Sequence, residues 1–197
     1  MIETWNERYQ VEEYVYGREP NQFFKSELLH LKPGNILFPA DGEGRNSVYS
    51  ATLGWKAFAF DSSEVAKEKA LKLANKFKVC IDYQLASYND AQYEPDFFDC
   101  IALLFAHMPS RLRAKQHQKL LSYLKPGGTL ILEAYSKEQI NYNTGGPKNI
   151  DLLYSKNELE EDFKELSTYD ISISTICLDE GIMHNGKSSV IRFVGTK

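Results

Sequence analysis

The sequence predicts an α/β fold: a mostly parallel seven-stranded sheet with helices on both faces and an antiparallel strand pair at its carboxyl end. Three observations predict it. Short apolar runs alternate with amphipathic segments from Asn35 to Tyr135, the pattern of strands buried on both faces and joined by crossover helices. A glycine turn and a helical segment join the first two runs, and the second run ends in an acid, the layout of a nucleotide-binding βαβ unit. The last two runs are separated by a short connection, which suits an antiparallel pair and is too short for a parallel crossover.

The βαβ unit spans Asn35 to Asp61. Ile36–Phe38 reads as a buried strand, Gly42-Glu43-Gly44 as a turn, and a helix starts near Arg45 with Val48, Tyr49 and Leu53 on one face. Gly54 suits the end of that helix. Ala57–Phe60 forms the second strand and Asp61 closes it. Glycines let a backbone approach a ligand because no Cβ intervenes. The helix start presents unpaired N–H groups, and an acid at the strand tip can accept hydrogen bonds from both hydroxyls of a ribose. Such an acid lies about 20 residues beyond the turn, and Asp61 fits. Ser47 stands where a dinucleotide fingerprint has its third glycine, so the turn is Gly-x-Gly only. An ordinary tight turn beside a surface Asp is the plainer alternative.

The segment before this unit, residues 1–34, reads as an amino-terminal arm and helix. Trp5, Tyr9, Tyr14 and Tyr16 form a dense aromatic set that packs on the core or covers a ligand pocket. Phe23, Phe24, Leu28 and Leu29 suggest an amphipathic helix ending near Lys32-Pro33-Gly34. After Asp61, Ser62-Ser63-Glu64 caps a helix that carries Val65, Ala66, Lys69 and Leu73, with its lysines outward, to about Lys78. Val79–Leu85 is a third strand and Ala86–Asp90 a loop at its end. Asp99–Phe105 is a fourth strand, ended by Ala106-His107-Met108-Pro109, and Arg111–Leu124 an amphipathic helix. Lys125-Pro126-Gly127-Gly128 is a turn and Thr129–Tyr135 a fifth strand. Gln139–Asp151 is polar, glycine-rich and too irregular for a helix, which marks a functional loop. Ser155–Phe163 reads as a capped helix, Ile171–Leu178 as a strand, Asp179–Ser188 as a turn and Ser189–Thr196 as the returning strand.

Composition narrows the function classes. A chain of 197 residues suggests one domain, residues 1–197, able to bury a substantial core without disulfides. A net charge of −4 leaves no basic footprint for nucleic acid. The three cysteines, Cys80, Cys100 and Cys177, are an odd and sparse set, which argues against a disulfide framework. Cys80 and Cys100 sit in apolar runs and read as core residues. No Cys-x-x-Cys or His-x-x-x-His spacing supports a metal site. No signal peptide or membrane-length apolar run is evident, so the expected location is the cytoplasm.

With these residues in view, the chain resembles class I S-adenosylmethionine (SAM)-dependent methyltransferases over nearly its whole length. Ala40-Asp41-Gly42-Glu43-Gly44-Arg45-Asn46 is similar to their first motif and Asp61 to their ribose-binding acid. Leu124-Lys125-Pro126-Gly127-Gly128 resembles the turn before their fifth strand, and the final strand pair their reversed hairpin. The resemblance implies a Rossmann-like fold with SAM as cofactor. Gly-Glu-Gly-Arg-Asn and Glu180-Gly181-Ile182-Met183-His184 are similar to segments of the tellurite-resistance methyltransferases, whose matching histidine lies in the active site. The sequence departs from the common pattern at Phe38, where many members carry an acid, and at Ala40, where glycine is frequent. Asp41 is positioned to supply the missing charge. Ala86 and Ser87 stand where an acid often meets the adenine.

The resemblance implies a site. Asp61 takes the ribose, and Ser62, Ala86, Ser87 and Tyr88 flank the adenine. Backbone from Ala40 through Gly42, Glu43 and Gly44, with Asp41 and Asn46, receives the methionine end, and Arg8 or Arg45 pairs with its carboxylate. Phe105 and Ala106 lie at the end of strand four, near the sulfur. His107 and His184 are the candidate catalytic bases. Tyr135, Gly145 and Gly146 belong to the substrate side, and the 139–151 loop closes over it with the arm. His30 and His117 read as structural. The expected partner is a small-molecule acceptor, with no nucleic acid, membrane or metal, and the protein a monomer or homodimer. Two other readings stay open: a NAD(P)-binding oxidoreductase and a SAM-binding protein without turnover.

Overall fold

The structure, a computed structural model, describes the backbone of residues 2–197 and side chains from Trp5 onward. Met1, counted above in the arm, lies outside the described residues. Among the described residues, the strands are β1 (Asn35–Pro39), β2 (Lys56–Asp61), β3 (Asp82–Leu85), β4 (Phe98–Leu104), β5 (Leu124–Tyr135), β6 (Thr168–Asp179) and β7 (Asn185–Thr196). They form one sheet in the order β3-β2-β1-β4-β5-β7-β6. The first five pair in parallel, and β7 pairs antiparallel with both β5 and β6. The helices are α1 (Ile2–Tyr9), α2 (Gln22–Leu28), α3 (Arg45–Thr52), α4 (Glu64–Phe77), α5 (Ser110–Tyr123) and α6 (Lys156–Asp162). This is the fold class that the sequence predicts.

The two faces of the sheet follow from alternation along each strand. Leu37, Ile101, Leu103, Leu130 and Leu132 point one way and pack with Leu120, Leu121, Leu159 and Phe163 of the α5–α6 layer. Ile36, Phe38, Cys100, Ala102 and Ile131 point the other way and meet Phe24 and Leu28 of α2. Charge closes the first layer. Fully buried His117 turns Nδ1 toward Asp162, 2.9 Å away, and Arg113 Nε donates to the same carboxylate at 2.5 Å. His117 is structural, as expected. On the other face α3 packs on α4, and a Cβ at Gly44 would sit 2.6 Å from Ala70 Cβ. Gly44, at φ +85°, therefore serves helix contact as well as the turn.

Several expectations change. The arm begins with α1, a helix that its aromatic residues did not announce. Helix α2 stops at Leu28, because His30 and Leu31 switch to bonds three residues back. Leu29 is consequently exposed, and His30 lies past the helix. Leu53 caps α3 instead of lining its buried face, and is 37% exposed. Strand β3 starts at Asp82, which leaves Cys80 exposed and outside the core. Two short 3-10 turns, Lys137–Asn141 and Ile150–Leu152, bracket the glycine-rich loop. Strands β6 and β7 run to Asp179 and from Asn185, so the turn is only Glu180–His184. The extra length was hidden because much of β6, an edge strand, faces solvent with polar residues.

Lys69 is the largest correction. It is buried, not outward, and its Nζ lies 2.5 Å from Glu43 Oε1. The same ammonium donates to the carbonyls of Tyr9, Val11 and Glu13 at 3.3, 2.9 and 2.6 Å. One cation thus ties the arm, the glycine turn and α4. Lys69→Met would leave the Glu43 carboxylate buried without a partner, an arrangement that costs about 3 kcal/mol or more. Urea denaturation should show a loss of that order, and Lys69→Met combined with Glu43→Gln should regain much of it.

Candidate active site

The sheet order reverses between β1 and β4, whose connections leave in opposite directions. That reversal opens a crevice at the carboxyl ends of the strands, where open α/β sheets bind ligands. Three chain segments form its floor. At the tip of β1, Ala40 and Gly42 take φ +53° and +61°. Asp41 N–H reaches Phe60 O at 3.2 Å and joins this tip to β2. At the tip of β2, Asp61 accepts Gly42 N–H at 3.1 Å on one oxygen and Ser63 N–H at 2.9 Å on the other. Each oxygen keeps a lone pair for a further donor. Tyr83 of β3, which the sequence reading passed over, donates to Gly42 O at 2.5 Å and pins the turn from below.

The third segment is the end of β4. Phe105 sits at φ +53°, an uncommon conformation for a bulky residue that marks a local constraint. Its N–H bonds Glu133 O at 2.7 Å, and its ring packs 4.3 Å from His184 and 4.8 Å from Tyr135, centre to centre. Ala106 is buried behind it, and its carbonyl accepts Tyr154 Oη at 2.9 Å.

Electrostatics divide the crevice. Asp41 receives the Ser47 hydroxyl at 2.5 Å and has no cationic partner among the described residues. Burial pushes its carboxyl up to about 8, the Asp61 charge adding and the Ser47 bond and the Arg45 charge opposing. Burial also raises Asp61, against the backbone N–H bonds that favour its charged form. At the other end, Arg45 Nη2 donates to Glu180 Oε2 at 2.8 Å. Burial would raise Glu180, but the His184 ring and the Arg45 guanidinium hold it down to about 2. His184 is 6% exposed and lies 4.5 Å from Tyr16, ring to ring. Burial lowers its pKa, Glu180 pulling the other way.

Three covers meet over this floor. Helix α1 brings Asn6 Oδ1 to the Ser63 hydroxyl at 2.6 Å and sets Tyr9 Oη against Gly42. Arg8 Nη1 donates to Tyr16 Oη at 3.1 Å. The hairpin tip Glu180–His184 docks on the arm, with Met183 N–H bonding Val15 O at 3.3 Å. The glycine-rich loop closes the remaining side. A Cβ at Gly145 would lie 2.1 Å from Met183 O and 2.9 Å from Tyr135 Oη, so only glycine fits there, while Gly146 lies on the Tyr135 ring.

Most sequence-derived candidates therefore converge on one crevice: Ala40, Asp41, Gly42, Gly44, Asp61, Phe105, Ala106, Tyr135 and His184, with Arg8 at its rim through Tyr16. Ser62 follows Asp61 at the β2 tip. Ala86 is tied to Asp61 O at 2.9 Å, and Tyr88 packs edge-on against Phe60 at 5.2 Å with its hydroxyl unpartnered among the described residues.

Four candidates are turned elsewhere. Ser87 Oγ donates to Asp90 in its own loop. Glu43 faces Lys69 and the Tyr16 N–H. Asn46 Oδ1 accepts Asn21 N–H at 2.9 Å. His107 has both ring nitrogens committed, Nδ1 donating to Leu152 O at 2.6 Å and Nε2 accepting Tyr135 N–H at 3.4 Å. Burial lowers its pKa to about 4, so it is neutral. The sharp turn at Phe105 carries His107 to the 150–152 turn, where it fixes backbone and stacks on Tyr135; it is not placed as a base.

The sequence reading also missed a buried network. Asn21 Nδ2 donates to Glu133 Oε1 at 2.6 Å and Glu180 Oε1 at 3.2 Å. Arg192 Nε meets Glu133 Oε2 at 2.5 Å. Glu133 and Arg192 are cross-strand neighbours, a pairing that becomes legible only once β5 and β7 are aligned.

Two outcomes follow for the unliganded protein. A carboxyl whose pKa is higher folded than unfolded binds a proton that the unfolded chain has released, so stability falls as pH rises through the interval. For Asp41 that interval runs from the ordinary carboxylate range to about 8. Urea midpoints should drop between pH 5 and 8, and Asp41→Asn should flatten much of the slope. His107→Ala should lower stability by about 2 kcal/mol, from a lost buried hydrogen bond and a cavity; an unchanged midpoint would refute its structural role.

Comparison with known proteins fits this geometry. Residues 36–128 match the family model described as a methyltransferase domain. No curated protein matches the sequence. Among solved structures, one concerns conversion of a disulfide bond into a thioacetal group during echinomycin biosynthesis. It is similar with a TM-score of 0.79 at 16% identity, over 100% of this chain and 91% of that one. TehB from Haemophilus influenzae gives 0.71 at 18% identity, over 100% of this chain and 66% of that one. A SAM-dependent methyltransferase from Aquifex aeolicus gives 0.60 at 18% identity, over 87% and 88%. The chain has the Rossmann-like methyltransferase fold, and its residues 36–128 match a methyltransferase domain in sequence.

Proposed function

We propose that this protein is a SAM-dependent methyltransferase acting on a small molecule. The observation that carries the reading is the pair of carboxylates at the crevice floor, Asp61 buried and Asp41 partly so. Asp61 keeps free lone pairs at the tip of β2, suited to two ribose hydroxyls. Asp41 is a carboxylate without an ion-pair partner among the described residues, suited to the ammonium of the methionine end. The donor set therefore fits the cofactor, although the first motif lacks the more usual acid and glycine. Arg8 is the guanidinium for the cofactor's carboxylate, and Phe60, Ser62, Ala86 and Tyr88 flank the base.

When bound, SAM supplies a sulfonium-activated methyl group for a nucleophile aligned with the methyl–sulfur bond. The chain's own residues orient and enclose. Phe105 and Tyr135 form aromatic walls that hold an acceptor in line. The arm, the hairpin tip and the glycine-rich loop exclude water from a charged donor. His184 takes the role of proton acceptor, since its Nδ1 has no hydrogen-bond partner among the described residues and Glu180 Oε2 lies 3.8 Å away. The absence of a basic stripe in the sequence favours a small acceptor. We place the protein near the tellurite-resistance methyltransferases on the Gly-Glu-Gly-Arg-Asn run and the Gly181-x-x-His184 segment, working as one cytoplasmic domain, monomeric or homodimeric.

Calorimetric titration tests the reading. S-adenosylhomocysteine should bind and NADH should not; tight NADH binding with no S-adenosylhomocysteine binding would overturn it. Asp61→Ala should lower S-adenosylhomocysteine affinity at least a hundredfold.

A further inference from the structure

The hairpin end of the crevice contains buried donors that the protein does not satisfy. Arg45 is 7% exposed, and its Nη1 has no hydrogen-bond partner among the described residues. The Tyr135 hydroxyl is likewise buried and unpartnered among them. A buried polar group left unpaired costs roughly 1–3 kcal/mol, more when charged, and such groups in native proteins call for an explanation.

The nearby carboxylates are committed. Glu180 Oε2 takes Arg45 Nη2, and its Oε1 takes Asn21 Nδ2 and Gln22 N–H. Glu133 is divided between Asn21 and Arg192, and Glu43 between Lys69 and Tyr16 N–H. The strand tips have the reverse character. Asp41 and Asp61 make no ion pair among the described residues and accept only from a hydroxyl and backbone N–H groups, with the Arg45 charge acting on Asp41 from beyond contact distance. The crevice is thus polarised, acceptor-rich at the β1–β2 tips and donor-rich beside His184. Between the two ends lie the rings of Phe105, Tyr135, Tyr16 and His184, at mutual centroid distances of 4.3 to 5.6 Å where paired.

We infer that the methyl acceptor carries a carboxylate or another oxyanion, bound by Arg45 Nη1 and the Tyr135 hydroxyl. This inference rests on the methyltransferase reading, which supplies the cofactor at the acidic end. Arg45 suits the task because its fork can hold Glu180 with one nitrogen and a ligand oxygen with the other. The positive sulfonium would attract the same ligand. Arg45 and Tyr135 are specificity-determining residues here, and His184 faces the acceptor between them.

The experiment uses full-length protein saturated with S-adenosylhomocysteine and titrated calorimetrically with benzoate, inorganic phosphate, benzyl alcohol and benzylamine. At least one of the two anions should bind tenfold more tightly than the neutral and cationic probes. Preference for benzoate would identify an organic carboxylate, and preference for phosphate an inorganic oxyanion. Arg45→Met combined with Glu180→Gln removes both charges and leaves no orphan carboxylate. It should lower anion affinity at least tenfold and change S-adenosylhomocysteine affinity less than threefold. Tyr135→Phe, which alters no shape, should lower anion affinity severalfold and keeps the test valid if the double variant fails to fold. Equal binding of all four probes would overturn the inference. So would loss of S-adenosylhomocysteine affinity in the double variant with 5′-methylthioadenosine affinity retained, because Arg45 would then serve the cofactor's carboxylate. Failure to bind S-adenosylhomocysteine at all would instead remove the methyltransferase reading.

Discussion

Asn21 is the joint on which the crevice depends. It is completely buried, and each of its polar groups holds a different part of the chain. Its Oδ1 caps α2 through Phe24 N–H, its N–H fixes Asn46 at the start of α3, and its Nδ2 reaches Glu133 on β5 and Glu180 at the hairpin tip. A buried polar network of this kind is favourable only when its members are satisfied together. Satisfying it sets the arm, the first helix of the βαβ unit, the sheet and the carboxyl-terminal hairpin in one arrangement. Lys69 performs the matching service on the other side of the glycine turn.

The same pairing logic explains why the crevice is polarised. Nearly every carboxylate on the hairpin side is neutralised by a cation or a cap, so the spare capacity there consists of donors. At the strand tips the carboxylates of Asp41 and Asp61 meet only neutral donors, a hydroxyl and backbone N–H groups. Burial then disfavours their charge, which the Arg45 guanidinium offsets only in part at Asp41. A cationic cofactor at one end and an anionic group at the other would each complete a half-satisfied environment. Phe105 takes a left-handed backbone, a local strain, and its ring packs on both Tyr135 and His184.

Residues whose roles depend on neighbours along the chain are legible from the sequence. Ser63 caps α4 through Ala66 N–H, Ser155 and Glu158 make the capping box that begins α6, and the βαβ unit follows its apolar runs. Residues whose roles depend on distant partners are not. Lys69 has the pattern of an outward helical lysine, because nothing local shows that three arm carbonyls and Glu43 converge on it. His107 has the pattern of a base, because it follows a strand end. Yet the turn at Phe105 and the carbonyl of Leu152, 45 residues away, decide where its nitrogens go.

Local sequence was enough to dictate the sheet, its parallel and antiparallel parts, the glycine turn and the acid at the second strand tip. These follow from periodicity, turn chemistry and spacing, all of which act over a few residues. Which polar groups are spent on one another, and which remain for a ligand, was settled by tertiary packing alone. That choice depends on burial and on contacts such as Asn21 with Glu180 or Arg45 with Glu180. Such contacts form only when segments more than a hundred residues apart are packed together.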